Sequence, residues 1–274
     1  MSLPVRNARI KLSQGQLFWR EVGQEGPTLL FLHGSWHDSS QWVPILERLG
    51  DRYHCFALDL LGIGESERPD IHYSITLEAE AIEEFLEALN EPRVFLVGHS
   101  LGAWVAATYA LKYPDRACGL LLLSPEGVEV ESLRNRWSRA RSRLKLLRLA
   151  DRLLETLFPL AKLLRGDRRV SRWRRHLQQL QDPFAASQLL FYRREAEIQA
   201  ELLQDRLSWL KIPLTLLHGD DDRPEAIALC KTYASLVPHA ELHAIADGGD
   251  NLPERLPDLL AQRIRHSVET VEER

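Results

Sequence analysis

The sequence predicts an α/β protein: a mostly parallel, doubly wound sheet interrupted by an inserted all-helical cap. Three observations predict it. Short, wholly apolar runs alternate with amphipathic stretches through the first 127 residues, the pattern of strands buried on both faces and of the helices that connect them. The alternation stops at about Val128 and resumes near Ile212. Residues 128–210 carry no strand pattern and are rich in Arg, Leu and Trp. The expected division is therefore a core of residues 1–127 and 211–274 with a helical insertion at 128–210.

Taken in order, ARIKLSQGQLFWREV (8–22) reads as two strands joined at Gln14-Gly15. PTLLFLHG (27–34) is an apolar run ending in a turn, as a buried strand should be. SSQWVPILERLG predicts a helix with Ser39 or Ser40 as cap and Gly50 as stop. YHCFALDL (53–60) is the next strand. Leu77, Ala81, Phe85 and Leu89 share one face of a helix spanning about 75–89. Strand RVFLVGH, helix LGAWVAATYALKYP and strand ACGLLLLS follow. Beyond the insertion come strand IPLTLLHG, a helix over Pro224–Leu236, strand AELHAIA and a last helix over about 256–268.

The bulk properties narrow the function classes. A chain of 274 residues with 45% hydrophobic and 27% charged residues has ample material for a buried core. It has no apolar run of 18 or more residues, which argues against a membrane-spanning helix. MSLPVRNARIKLS lacks the apolar segment and cleavage site of a secretory signal. Cys55, Cys118 and Cys230 are far apart in apolar runs, without metal-ligand spacing, and read as buried thiols of a reducing compartment. A cytoplasmic location is expected, with no metal and no organic cofactor.

The net charge of −4 hides an asymmetry. Between Arg134 and Arg175 there are 15 Lys and Arg against 3 Asp and Glu. Trp137, Ala140, Leu144, Leu147, Ala150, Leu154, Leu157, Ala161 and Leu164 recur at helical spacing, with Pro159 placed to kink the helix. Arginines fill much of the remaining surface. This is the pattern of a cap with an apolar underside and a solvated basic top. The open alternative is a cap resting on anionic lipid, with a peripheral membrane location. Nucleic acid is not expected as a partner: no recognition motif accompanies the basic stretch, and the rest of the chain is acidic.

Gly98-His99-Ser100-Leu101-Gly102 lies between an apolar strand and a helix, matching G-x-S-x-G in the setting that makes a nucleophile elbow. The tight turn excludes bulk two residues either side of the serine and aims a helix N-terminus at charge developing there. On these residues the chain resembles the α/β-hydrolase superfamily, in its serine esterase/lipase-like branch. The resemblance covers nearly everything outside the insertion and implies the α/β-hydrolase fold.

The resemblance also implies roles. Ser100 would be the nucleophile, and the backbone N–H groups of Ser35 and Leu101 the oxyanion hole. LDLLGIGESERP (58–69) is similar to the family's D-x-x-G-x-G-x-S-x-x-P turn, with Asp59 structural. In LLHGDDDRP the family's H-G-x-x-D spacing selects Asp222 as the acid; Glu126, after the preceding strand, is the second candidate. The substrate implied is a small-molecule carboxylic ester, lipophilic by analogy with lidded members.

The general base departs from the pattern. The family's histidine follows the last strand in a G-H-x-x-x-x-x-x-P setting, and here that setting reads Gly249-Asp250-Asn251-Leu252-Pro253-Glu254-Arg255-Leu256-Pro257. Asp250 stands in the base position. A carboxylate with an ordinary pKa near 4 is a much weaker base than imidazole near 6.5. Losing the histidine of a serine triad costs on the order of 10⁶ in kcat while binding survives. Ester hydrolysis is therefore expected to be impaired. An inactivating substitution, decay into a non-catalytic ligand-binding or membrane-surface protein, and altered chemistry all remain open. The intact GGxNLPERLP surroundings favour the first. Of the other histidines, His33, His99, His218 and His243 are read as structural or surface residues, and His37 as the nearest substitute base.

Overall fold

The computed structural model describes residues 3–130, 189, 193–249 and 251–273. Eight strands form one sheet: β1 (Arg6–Lys11), β2 (Gln16–Val22), β3 (Thr28–Leu32), β4 (His54–Asp59), β5 (Val94–His99), β6 (Ala117–Leu123), β7 (Leu214–Gly219) and β8 (Glu241–Ile245). Their spatial order is β1-β2-β4-β3-β5-β6-β7-β8. β1 and β2 run antiparallel at one edge, and the pairs from β4 through β8 are all parallel. This is the α/β-hydrolase fold that the alternating pattern and GHSLG led us to expect.

The central strands show why a parallel sheet needs unbroken apolar runs. Leu30 and Leu32 of β3 and Val94 and Leu96 of β5 face one core cluster, while Leu29, Phe31, Phe95 and Val97 face the other. Helices α2 (Ile75–Ala88) and α3 (Leu101–Lys112) pack on the first face, and α1 (Val43–Leu49) on the second. Beyond α4 (Glu195–Glu201), α5 (Pro224–Leu236) joins the first face. The short α6 (Leu252–Arg255) and α7 (Pro257–Glu272) join the second.

Two element boundaries differ from expectation. The turn before α1 is a 3-10 helix over Ser39–Trp42, capped by the Asp38 carboxylate accepting from Ser40 N–H, so neither Ser39 nor Ser40 is the cap. The last helix is preceded by the separate α6; Leu256 stands between them at φ −130 and ψ 51, outside the helical region that the following proline disfavours.

The chain order reverses around β3, with β4 on one side and β5 on the other. Loops leaving the carboxyl ends there splay apart and open a crevice. In and just after α4, Ile198, Leu202, Leu203 and Leu207 belong to the first-face core. Leu203 N–H donates to Gly127 O, which ties the segment after α4 to the loop after β6. Glu201 caps α2 by accepting from Ile75 and Thr76 N–H at 3.2 Å each and pairs with Arg193. The remainder of the expected cap, including its basic face, lies outside the described residues.

Candidate active site

Ser100 sits between β5 and α3 at φ 51 and ψ −110, a conformation rare outside glycine. Backbone bonds over-determine it: Ser100 N–H donates to Leu123 O at 2.9 Å, and its carbonyl accepts from Trp104 N–H and Glu126 N–H at 3.2 Å each. The flanking glycines are forced by packing. A Cβ on Gly98 would lie 2.5 Å from Ala103 Cα, and one on Gly102 2.3 Å from the Leu32 carbonyl oxygen. The sharp turn thus brings α3 hard against β3, with the serine at the crest.

The same cleft, about 280 Å³, is lined by Ser35, His37, His99, Ser100, Ser124, Glu126 and Asp222. They come from the ends of β3, β5, β6 and β7. On the β3 side, Gly102 N–H donates to His33 O at 3.1 Å, which ties the loop carrying Ser35 to the first turn of α3. Gly34 N–H donates to Gln41 Oε1 at 3.2 Å, and Gln41 Nε2 lies 3.0 Å from His99 Nδ1. His99 Nδ1 is thus held by the Gln41 amide, whose oxygen also lies 3.4 Å away. Leu101 opens α3, so its N–H precedes the intrahelical ladder and faces the helix N-terminus.

Asp222 is 6% exposed. Its Oδ2 accepts from the Ser124 hydroxyl at 2.6 Å and its Oδ1 from Arg223 N–H at 2.7 Å. Glu126, also 6% exposed, takes the other position: the Ser100 hydroxyl donates to Glu126 Oε1 at 3.3 Å. The fold therefore brings Ser100, Ser35, Leu101, Glu126 and Asp222 to one place, and it is Glu126 that meets the serine. Asp250 lies outside the described residues.

Asp59 is buried and accepts from Ser39 N–H at 2.6 Å and Glu65 N–H at 2.7 Å, as a loop brace does. His33 donates from Nδ1 to Gly34 O and accepts Leu60 N–H at Nε2, and burial pushes its pKa down. His218 Nδ1 is bound to Gly219 O. His243 lies beside Glu241 on β8. His99 is held by Gln41 yet forms part of the cleft wall, and His37 approaches Glu254 at 3.6 Å. All three cysteines are free; Cys55 and Cys230 are buried and Cys118 partly so, with the Cys230 thiol pushed up to about 12 by burial.

Ser124, Gln41 and Tyr233 escaped the sequence reading. Tyr233 is fully buried on α5, and its hydroxyl donates to Glu126 O at 2.6 Å. A serine directly after an apolar strand was the one available signal for Ser124. Nothing in the sequence singles out the other two. Among the described residues, no group of three or more His, Cys, Asp or Glu is arranged to hold a metal ion, and no helix is long and apolar enough to cross a membrane.

The sequence profile of the Alpha/beta hydrolase family matches residues 29–263. The chain belongs to this family. An uncharacterized protein of Mycobacterium tuberculosis is 36% identical over 107 residues, 39% of this chain and 31% of that protein. A haloalkane dehalogenase of Mesorhizobium japonicum is 33% identical over 118 residues, 43% of this chain and 38% of its own. The chain thus spans about a third of the length of the curated relatives it matches. The crystal structure of a membrane phospholipase A, described as a bacterial virulence factor, superposes with a TM-score of 0.74 at 23% identity. That alignment covers 98% of this chain and 87% of the other. At that identity the likeness is one of fold.

Proposed function

We propose that this chain is a serine-nucleophile hydrolase of a small-molecule carboxylic ester, impaired by the aspartate in its base position. The observation that carries the reading is the conformation of Ser100 at the crest of the elbow, in one cleft with Ser35 and Asp222. Ser100 attacks the ester carbonyl. The oxyanion meets the N–H groups of Ser35 and Leu101, where fixed donors stabilise the developing charge by about 3–4 kcal/mol apiece. Asp222, fixed by Ser124 and the Arg223 N–H, is the acid of a triad whose third place is Asp250. Halide displacement in this fold uses an aspartate nucleophile, so the serine at position 100 favours acyl chemistry over that of the dehalogenase relative.

The residues expected to form the cap, 128–210, would roof the cleft and favour a lipophilic acyl or alcohol group. Their arginine-rich stretch suits contact with an anionic membrane surface. A second reading, a non-catalytic ligand-binding or membrane-surface protein on the same fold, draws on the Asp250 position alone. Reaction with a fluorophosphonate, followed by mass spectrometry of the peptide containing Ser100, tests the nucleophile directly. The enzymatic reading expects the phosphonyl adduct on Ser100 in the Asp250→His variant. Its absence there favours the binding protein.

A further inference from the structure

Resting on the assignment of Ser100 as nucleophile, we infer that Glu126 is the proton acceptor of Ser100 in this chain. The juxtaposition of Ser100 Oγ and Glu126 Oε1 at 3.3 Å carries the inference. Among the described residues, Glu126 is the titratable side chain to which the Ser100 hydroxyl donates. The contact is long for an O–H···O bond, as proton-transfer contacts commonly are before substrate closes the site.

Glu126 is built into place from three sides. Its N–H donates to Ser100 O at 3.2 Å, so the two residues are joined through the backbone as well as the side chains. Its carbonyl accepts from Tyr233 OH at 2.6 Å, anchoring it to α5. The Glu126 side chain is nearly buried yet forms part of the cleft wall beside the serine. Of the histidines near the cleft, His99 Nδ1 is bonded to Gln41, His33 is bonded through both ring nitrogens, and His37 faces Glu254 at 3.6 Å. Asp222 is turned to Ser124 and the Arg223 N–H, a structural setting for a carboxylate that orients rather than accepts from the nucleophile.

The chemistry balances. As Ser100 Oγ bonds to the carbonyl carbon, its proton passes to the Glu126 carboxylate and the carbonyl electron pair moves to oxygen. Collapse breaks the ester C–O bond, and the departing alkoxide takes the proton from Glu126. Water then attacks the acyl-enzyme, giving a proton to Glu126, and collapse returns that proton to Ser100. The sum is ester plus water to acid plus alcohol. A carboxylate is a weaker base than imidazole, so this route supplies slow turnover. A positioned base is worth roughly 10²–10⁴ in rate, and Glu126 would deliver the lower part of that range.

The test compares fluorophosphonate labelling rates at Ser100 in the unaltered chain, Glu126→Gln, Asp250→His and the double variant, with Ser100→Ala as blank. Labelling is expected to slow at least tenfold on Glu126→Gln in the unaltered chain and less than threefold in the Asp250→His background. Formate should restore much of the rate to Glu126→Ala, which a purely structural role would not allow. Equal labelling with and without the Glu126 carboxylate, the same loss in both backgrounds, or labelling only in chains carrying Asp250→His overturns the role of Glu126 and leaves Ser100 as nucleophile. No labelling in any version overturns both.

Discussion

The Ser124 hydroxyl donates a 2.6 Å hydrogen bond to Oδ2 of Asp222, across 98 residues of sequence. With Arg223 N–H on Oδ1, both carboxylate oxygens are held, and the side chain keeps one orientation toward the cleft. Ser124 is itself fixed at φ 44, its N–H bonded to Leu217 O of the neighbouring strand. Removing the hydroxyl strips a nearly buried carboxylate of a charge-assisted donor, a loss of about 1–3 kcal/mol. Ser124→Ala should unfold at lower denaturant concentration by that amount, with an unchanged m-value. A neutral effect would mean that the bond does not hold Asp222 in solution.

The close approach of α3 to β3 makes a second prediction. A methyl group on Gly102 meets two backbone oxygens, Leu32 O at 2.3 Å and His33 O at 2.6 Å, neither of which can rotate away. Gly102→Ala should cost ~3 kcal/mol or more and displace the loop that carries Ser35. Chemical denaturation measures the cost. A stability within 0.5 kcal/mol of the parent, about the size of an ordinary surface change, would contradict this packing.

Glu78 supplies a pH dependence. It is buried on α2, where Oε2 accepts from Leu61 N–H at 3.2 Å and Oε1 has no partner among the described residues. Burial pushes its carboxyl up to about 8, against an ordinary 4.5. The folded state thus keeps a proton that the unfolded chain releases. Its contribution is fully present below pH 4.5 and is lost as pH rises through 8. The whole effect is at most on the order of 5 kcal/mol. Glu78→Gln keeps an acceptor for Leu61 without an ionisable group. Its stability relative to the parent should climb between pH 4.5 and 8 and level off beyond. A difference that stays flat with pH would show that Glu78 titrates normally.

How far the sequence led differs between the frame and the site. The apolar runs at 29–32, 94–97 and 119–123 are legible because the middle of a strand buried on both faces favours unbroken apolar residues. The helix Pro224–Leu236 begins at its proline as read. The elbow is legible because only glycine fits at 98 and 102. The cap of the first helical turn was missed by one residue, since Asp38, Ser39 and Ser40 are all competent caps and only the backbone decides among them. The stretch around α4 was less legible still. Ile198, Leu202 and Leu203 pack into the main core, and helical periodicity identifies an apolar face without naming what covers it. The Ser100–Glu126 and Ser124–Asp222 pairings were beyond reach, because each depends on how two loops from different strands meet.

The central claim is that an intact ester-hydrolysing site stands behind a changed base. Its most direct test is the kcat/KM of the unaltered chain and of Asp250→His against nitrophenyl esters of short and long acyl chains. The account predicts a gain of at least 10³ on restoring histidine, abolished by adding Ser100→Ala. It also predicts slow hydrolysis by the unaltered chain. Equal rates in the two chains would contradict it, because position 250 would then play no part in activating Ser100.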